Sequence, residues 1–196
     1  MTRRPFDGPK KNSRIFPIAL AVSTDTGILV GVDGANGKRR NGRRIMGATN
    51  FETVSFGRTV AEAYRRARDE ARAENGSQDG YSGDIQTTRG YREFRVPDGT
   101  DLRKLARDVD RMTSVNEILG DPGYYDEADV AEARDWKAGL PGQYRWRVGQ
   151  IADVAGDKYG DAVAVQLTGA RADEFRARRE LAADVRVWVF FGTAAY

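Results

Sequence analysis

The feature that most constrains how this chain folds is one strongly signalled helix beginning near residue 60. Thr59 and Glu62 form a capping-box pattern, in which a Thr hydroxyl and a Glu carboxylate accept hydrogen bonds from opposite backbone N–H groups at the helix start. Apolar residues then recur at helical spacing, and Asn75-Gly76 is a typical helix stop. The pattern predicts a helix over residues 59–75.

The rest of the chain predicts a mixed order of strands and helices. Its apolar runs and alternating segments predict strands over residues 15–22, 28–32, 51–57, 84–96, 144–154, 161–167 and 185–191. Periodic stripes predict three further helices, one from about residue 101 to a new capping pattern at 114–117, one over 127–138 and one over 169–183. Because strands and helices do not alternate regularly, the fold class predicted is α+β, with a mixed, largely antiparallel sheet and about four helices.

Domain organisation follows from composition and loop signals. Residues 1–14 are polar and basic and are predicted to be a flexible arm. Residues 15–75 are predicted to form a sheet-plus-helix subdomain with a basic loop at 34–44, followed by an α+β remainder over 84–196. The alternative is one continuous domain over 15–196.

The closing strand, residues 185–191, is apolar on nearly both faces. Val187 and Val189 lie on one face, while Trp188 and Phe190 lie on the other. A strand of this kind belongs inside a sheet covered on both faces, or at a subunit interface. We expect the predicted helices at 59–75 and 170–182 to cover it and Trp188 to be buried.

Residues 144–147, Tyr-Arg-Trp-Arg, place aromatic side chains between arginines, a pattern that also occurs in proteins binding single-stranded nucleic acid. On the predicted strand, Tyr144 and Trp146 share one face and Arg145 and Arg147 share the other. The interpretation favoured here is that the two aromatic side chains belong to the core.

Charge is distributed unevenly along the chain. Of 32 basic residues, 26 are Arg, which suits either bidentate phosphate recognition or a GC-rich coding genome. Residues 1–75 carry a net charge of +7 and residues 76–143 a net charge of −5. Such asymmetry indicates a polyanionic partner or a neighbouring copy of the same chain.

The strongest functional candidate is the basic loop, in which five of the seven residues 38–44 are cations. Clustered arginines on a loop suit a phosphate backbone, in a contact that depends on salt and not on sequence. Together with the basic arm, this loop gives the predicted nucleic-acid-binding residues: Lys38, Arg39, Arg40, Arg43, Arg44, Arg3, Arg4, Lys10 and Lys11.

Strands followed by Phe56-Gly57-Arg58-Thr59 and a helix give residues 14–75 a resemblance to known DNA-binding modules. This segment resembles the small sheet-plus-helix modules at the N-termini of phage-type integrases and in AP2-type domains. The spacing around the basic loop is longer here, and the His-containing core of a tyrosine integrase does not follow. The resemblance implies DNA binding by the N-terminal part of the chain.

The absence of Cys and His from the whole sequence excludes many kinds of catalysis. Thiol nucleophiles, Ser-His-Asp triads and Cys- or His-ligated zinc are all impossible. An acidic band over residues 117–135 contains Asp126, Asp129, Glu132 and Asp135, which suit Mg²⁺ chemically but are more typical of a solvated helix face. We therefore predict no catalytic residues, no metal site and no cofactor.

Three functional hypotheses follow, in order of preference. The first is a non-enzymatic protein that binds nucleic acid or another polyanion through the arm and loop. The second is a structural or assembly subunit, as in a phage virion, whose basic arm docks on the acidic band of a neighbouring copy. The third is a carboxylate-dependent enzyme acting on a phosphorylated substrate.

The expected location is the cytoplasm or a virion, with neither a membrane span nor an export signal.

Overall fold

A computed structural model describes residues 47–76 and 82–195 of the chain. Its strands are β1 (Ala48–Gly57), β2 (Tyr91–Phe94), β3 (Ala162–Leu167) and β4 (Arg186–Ala195). Its α-helices are α1 (Val60–Asn75), α2 (Leu102–Gly120), α3 (Glu127–Gly139), α4 (Gly142–Ala155) and α5 (Ala170–Arg178), and short 3-10 turns occupy Ile85–Thr87 and Pro122–Tyr124. The predicted α+β class is confirmed.

The four strands form one sheet in the order β1-β4-β3-β2. β4 pairs antiparallel with both β1 and β3, whereas β2 and β3 run parallel, so the sheet is mixed. The sheet contains strands from both sides of the gap at residues 77–81. As predicted, the closing strand is internal, and it extends to Ala195.

One face of the sheet is covered by α1. Trp188 and Phe190 of β4 form a buried cluster there with small residues of α1, including Ala63 and Ala67, and with Phe51 of β1. The small side chains let the helix lie close to the large aromatic rings. Tyr64 closes this cluster, and its hydroxyl lies 2.8 Å from the Thr88 hydroxyl.

The opposite face is covered by α2 and α4. Val163 and Val165 of β3 meet the apolar stripe of α2 and the buried side of α4 there, in a second cluster that includes Leu105, Val109, Met112, Val148 and Ile151. α3 packs against α2. The predicted cover by α1 is confirmed, but the helix at 170–178 is not the main cover of the other face.

The start of α1 has the predicted cap. The Thr59 hydroxyl accepts a hydrogen bond from the Glu62 backbone N–H at 3.2 Å, and the Glu62 carboxylate accepts one from the Arg58 backbone N–H at 2.9 Å. The N–H that Glu62 reaches thus lies one residue before the N-cap, just outside the usual capping box. These bonds fix the turn that joins β1 to α1.

The predicted strand at residues 144–154 is wrong, because these residues form α4. Val148, Ile151, Ala152 and Ala155 are buried, which is a helical period of three and four. The alternation of Tyr144, Trp146 and Val148 covers only two periods, and the longer helical stripe is the one that meets the sheet.

Two other element predictions also need correction. Residues 84–96 were predicted as one long strand, but Asp84 caps the turn Ile85–Thr87 and only Tyr91–Phe94 is a strand. The capping pattern at 114–117 does not open a new element, because Val115 continues the buried stripe of α2. The Ser114 hydroxyl instead donates to the Asp110 carbonyl one turn earlier, as mid-helix Ser commonly does.

The predicted strands at 15–22 and 28–32, the basic arm at 1–14 and the basic loop at 34–44 lie outside the described residues.

Candidate functional site

A cleft of about 420 Å³ lies where β2 and β3 end and β4 begins. Phe94 and Val96 line it together with six polar residues, Glu93, Arg95, Asp98, Gln166, Thr168 and Arg186. It is an open, polar depression with a volume in the range of small-ligand sites.

Strand alternation places three of the polar lining residues on one face of the sheet. Glu93, Gln166 and Arg186 come from three neighbouring strands, and each has the same parity as the α1-facing residues of its strand. All three therefore project from the α1 face. Arg95 and Thr168 continue the same parity just beyond the ends of β2 and β3. No residue of α1 lines the cleft, so this corner of the sheet is left uncovered by the helix.

The cleft holds charges of both signs. Arg95 and Arg186 bring two guanidinium groups, and Glu93 and Asp98 bring two carboxylates. Within residues 47–76 and 82–195, none of the four forms an ion pair within 4 Å. The arginines are thus available to an anion, and the carboxylates to hydrogen-bond donors.

A second polar group lies on the other face of the sheet, near β1 and α2. The Asn50 side-chain amide donates to Asp110 at 2.8 Å, and the Thr193 hydroxyl donates to Asn50 at 3.1 Å. Burial raises the pKa of Glu52, and the Arg103 guanidinium partly offsets this effect. These contacts tie α2 to the sheet and need no ligand.

A further polar contact joins α2 to α4. The Tyr144 hydroxyl donates to Asp108 at 2.6 Å, and Lys104 forms an ion pair with the same carboxylate. Burial and the adjacent Asp108 raise the pKa of the Tyr144 hydroxyl well above its ordinary value. Tyr144 therefore stays protonated and serves as a hydrogen-bond donor between the two helices.

None of the predicted nucleic-acid-binding residues is among the described residues. Lys38, Arg39, Arg40, Arg43 and Arg44 of the loop lie in the segment 1–46, and so do Arg3, Arg4, Lys10 and Lys11 of the arm. Their role stays a prediction.

The acidic band, by contrast, is described and faces solvent. All of its carboxylate residues are exposed: Glu117, Asp121, Asp126, Glu127, Asp129, Glu132 and Asp135. Across the described part of the chain no group of three or more acidic side chains is arranged to hold a metal ion. Glu132 pairs with Arg111 at 2.9 Å, and Tyr124 stands beside the band with 85% of its surface exposed.

The interpretation of Trp146 as a core residue is wrong, because its side chain is 65% exposed on α4. The error follows directly from the strand prediction: on a helix, Trp146 and Val148 lie about 200° apart instead of on one face. Tyr144 is half-buried against α2.

The sequence alone did not predict the cleft or its lining residues. Gln166 and Thr168 carry a detectable signal, since they are polar positions at the end of an otherwise apolar strand. Arg95 and Arg186 carry none, because they are 91 positions apart in the sequence and only the strand order β4-β3-β2 brings them to one surface.

No family model, no curated protein and no solved structure matches this chain. In the regions that the structure describes, no helix has the length and apolar character needed to cross a membrane.

Proposed function

We propose that this protein binds nucleic acid, or another polyanion, through the basic arm and the 38–44 loop. The observation that supports the proposal is where the positive charge lies. Residues 1–46 carry ten basic and three acidic side chains, a net charge of +7. The described residues carry 22 basic and 25 acidic side chains, a net charge of −3.

This division of charge makes the segment 1–46 the source of attraction for a polyanion. The described part of the chain is weakly anionic overall and repels a phosphate backbone at long range. Several of its cations are already paired: Arg58 with Asp184, Arg111 with Glu132, and Arg178 with Glu174. Binding therefore depends on the loop and arm, with α1 and the sheet as the attached scaffold.

The test is the salt dependence of binding to a labelled DNA duplex. Replacing Arg39, Arg40, Arg43 and Arg44 by Gln removes about four phosphate contacts, which flattens the slope of log affinity against log salt by about 3.6. The matched control replaces four exposed arginines of the described helices by Gln, namely Arg65, Arg72, Arg107 and Arg134. That control removes the same charge and is expected to keep most of the slope. An unchanged slope in the loop variant, or the same loss in both variants, contradicts the proposal.

The exposed acidic band favours a second candidate, an assembly subunit. In this arrangement Arg3, Arg4, Lys10 and Lys11 of one copy dock on the 117–135 band of the next. Light scattering after size exclusion is expected to show oligomers at low salt that dissociate as salt screens the contact. Deleting residues 1–14 is expected to leave a monomer. A full-length protein that stays monomeric at high concentration and low salt contradicts this candidate.

A further inference from the structure

The cleft at the ends of β2 and β3 has features that polyanion binding by the N-terminal segment does not use. We propose that it is a binding site for a phosphate ester of about the size of a sugar phosphate or a mononucleotide. Arg95 and Arg186 hold the phosphate group. Glu93 and Asp98 accept hydrogen bonds from hydroxyl or amino groups on the rest of the ester.

The positions of the two arginines support a shared anion. Arg95 follows β2 and Arg186 begins β4, with β3 between them, so their backbones are about 10 Å apart across the sheet. The strand registers also place them two residues apart along β3, with Arg95 near Gln166 and Arg186 near Thr168. Both side chains line the cleft, and each is long enough to reach a phosphate placed above the end of β3. A guanidinium presents paired donors that match phosphate oxygens, and an anion between two such groups receives charge-assisted hydrogen bonds from both.

The part of the cleft formed by β3 supplies neutral hydrogen-bond donors for the same phosphate. Gln166 and Thr168 lie on β3 and just beyond it, on the same face as the arginines. α5 begins at Ala170, after Gly169, and no side chain caps its N-terminus. That start lies two residues after Thr168 in the chain, although no residue of α5 lines the cleft itself.

The two carboxylates make the site selective for a phosphate ester over a simple anion. Glu93 and Asp98 repel inorganic phosphate, but they accept hydrogen bonds from hydroxyl or amino groups. A ligand with a phosphate at one end and hydroxyl or amino groups at the other pairs with the two arginines and with the two carboxylates. The volume of about 420 Å³ accommodates such a molecule.

The ligand phosphate has two sources, a free metabolite or the end of a nucleic-acid strand, and the probes separate them. The full chain is titrated with ribose 5-phosphate, with ribose, and with inorganic phosphate by isothermal calorimetry. Short oligonucleotides with either a 5′-phosphate or a 5′-hydroxyl form the second arm. Saturable binding of ribose 5-phosphate that exceeds binding of ribose and inorganic phosphate is the expected result. A preference confined to the 5′-phosphorylated oligonucleotide assigns the site to strand ends.

Single substitutions of the cleft arginines test whether the phosphorylated probe binds in the cleft. Arg95→Gln and Arg186→Gln are each expected to weaken binding of the phosphorylated probe by about tenfold or more, the cost of losing charge-assisted hydrogen bonds. Arg92→Gln is the matched control, because Arg92 is an exposed arginine of β2 that points to the other face and does not line the cleft. Replacing the loop arginines Arg39, Arg40, Arg43 and Arg44 is expected to leave ribose 5-phosphate binding unchanged.

Glu93→Gln provides a test that loss of folding cannot imitate. Removing this carboxylate lowers the repulsion, so inorganic phosphate is expected to bind more tightly and the preference for ribose 5-phosphate to shrink. The proposal is overturned if no phosphorylated probe binds saturably at millimolar concentration, or if Arg92→Gln weakens binding as much as Arg186→Gln. It is equally overturned if only the loop variant abolishes binding, and that outcome leaves the polyanion proposal intact.

Discussion

Ser55 of β1 lies directly opposite Trp188 of β4, and both side chains are buried on the α1 face of the sheet. Among the described residues, neither the Ser55 hydroxyl nor the indole N–H of Trp188 has a hydrogen-bond partner. Trp188 is only 2% exposed. Its contribution to stability therefore comes from apolar packing against α1 and the neighbouring strands and not from its polar atom.

Trp188 and Trp146 form a matched pair for testing this packing. Trp188→Ala is expected to lower the free energy of unfolding by about 3–5 kcal/mol, as large-to-small core changes do. Trp188→Phe is expected to cost less, because it keeps an aromatic ring and breaks no hydrogen bond to a residue that the structure describes. Trp146→Ala, at an exposed position, is expected to change stability by no more than about 0.5 kcal/mol. Urea unfolding at equilibrium measures all three, and similar losses at both tryptophans would refute the assignment of β4 as an internal strand.

The sequence predicted the internal strand because residues 185–191 are apolar on both faces, a signal that needs no knowledge of the partners. It predicted α1 because the cap, the stripe and the stop agree. It failed at α4, where a short alternation competes with a helical stripe that becomes evident only once β3 and α2 are in place beside it. The cleft could not be predicted from the sequence for the same reason, since only the strand order brings Arg95 and Arg186 to one surface.

The turn between β1 and α1 leaves no room for a side chain at Gly57. A Cβ atom there would lie 2.8 Å from the Ala63 backbone nitrogen and 2.9 Å from the Glu62 Cβ, neither of which can move without disturbing the start of α1. Gly57→Ala is therefore expected to destabilise the protein by about 1–3 kcal/mol, the usual cost of overpacking.

Gly149, inside α4, is the control for Gly57. A Cβ atom there would meet nothing within 4 Å. Gly149→Ala is expected to stabilise the protein by about 0.5–1 kcal/mol, because Ala loses less backbone entropy in a helix. Thermal and urea unfolding of the two variants should move in opposite directions. A Gly57→Ala variant as stable as the parent would show that the turn relaxes easily.

Glu52 gives the last prediction, a pH dependence of stability. Burial raises its pKa above the ordinary value of 4.5 in the folded protein, so folding favours the protonated carboxyl. The stabilising contribution of that proton is present in full below about pH 4.5 and is lost as the pH rises through the raised folded-state pKa. Gln has no proton to lose, so Glu52→Gln is expected to raise the melting temperature more at pH 7 than at pH 4, relative to the parent protein. If Glu52→Gln is less stable than the parent at pH 7, attraction to Arg103 outweighs burial and the expected sign is wrong.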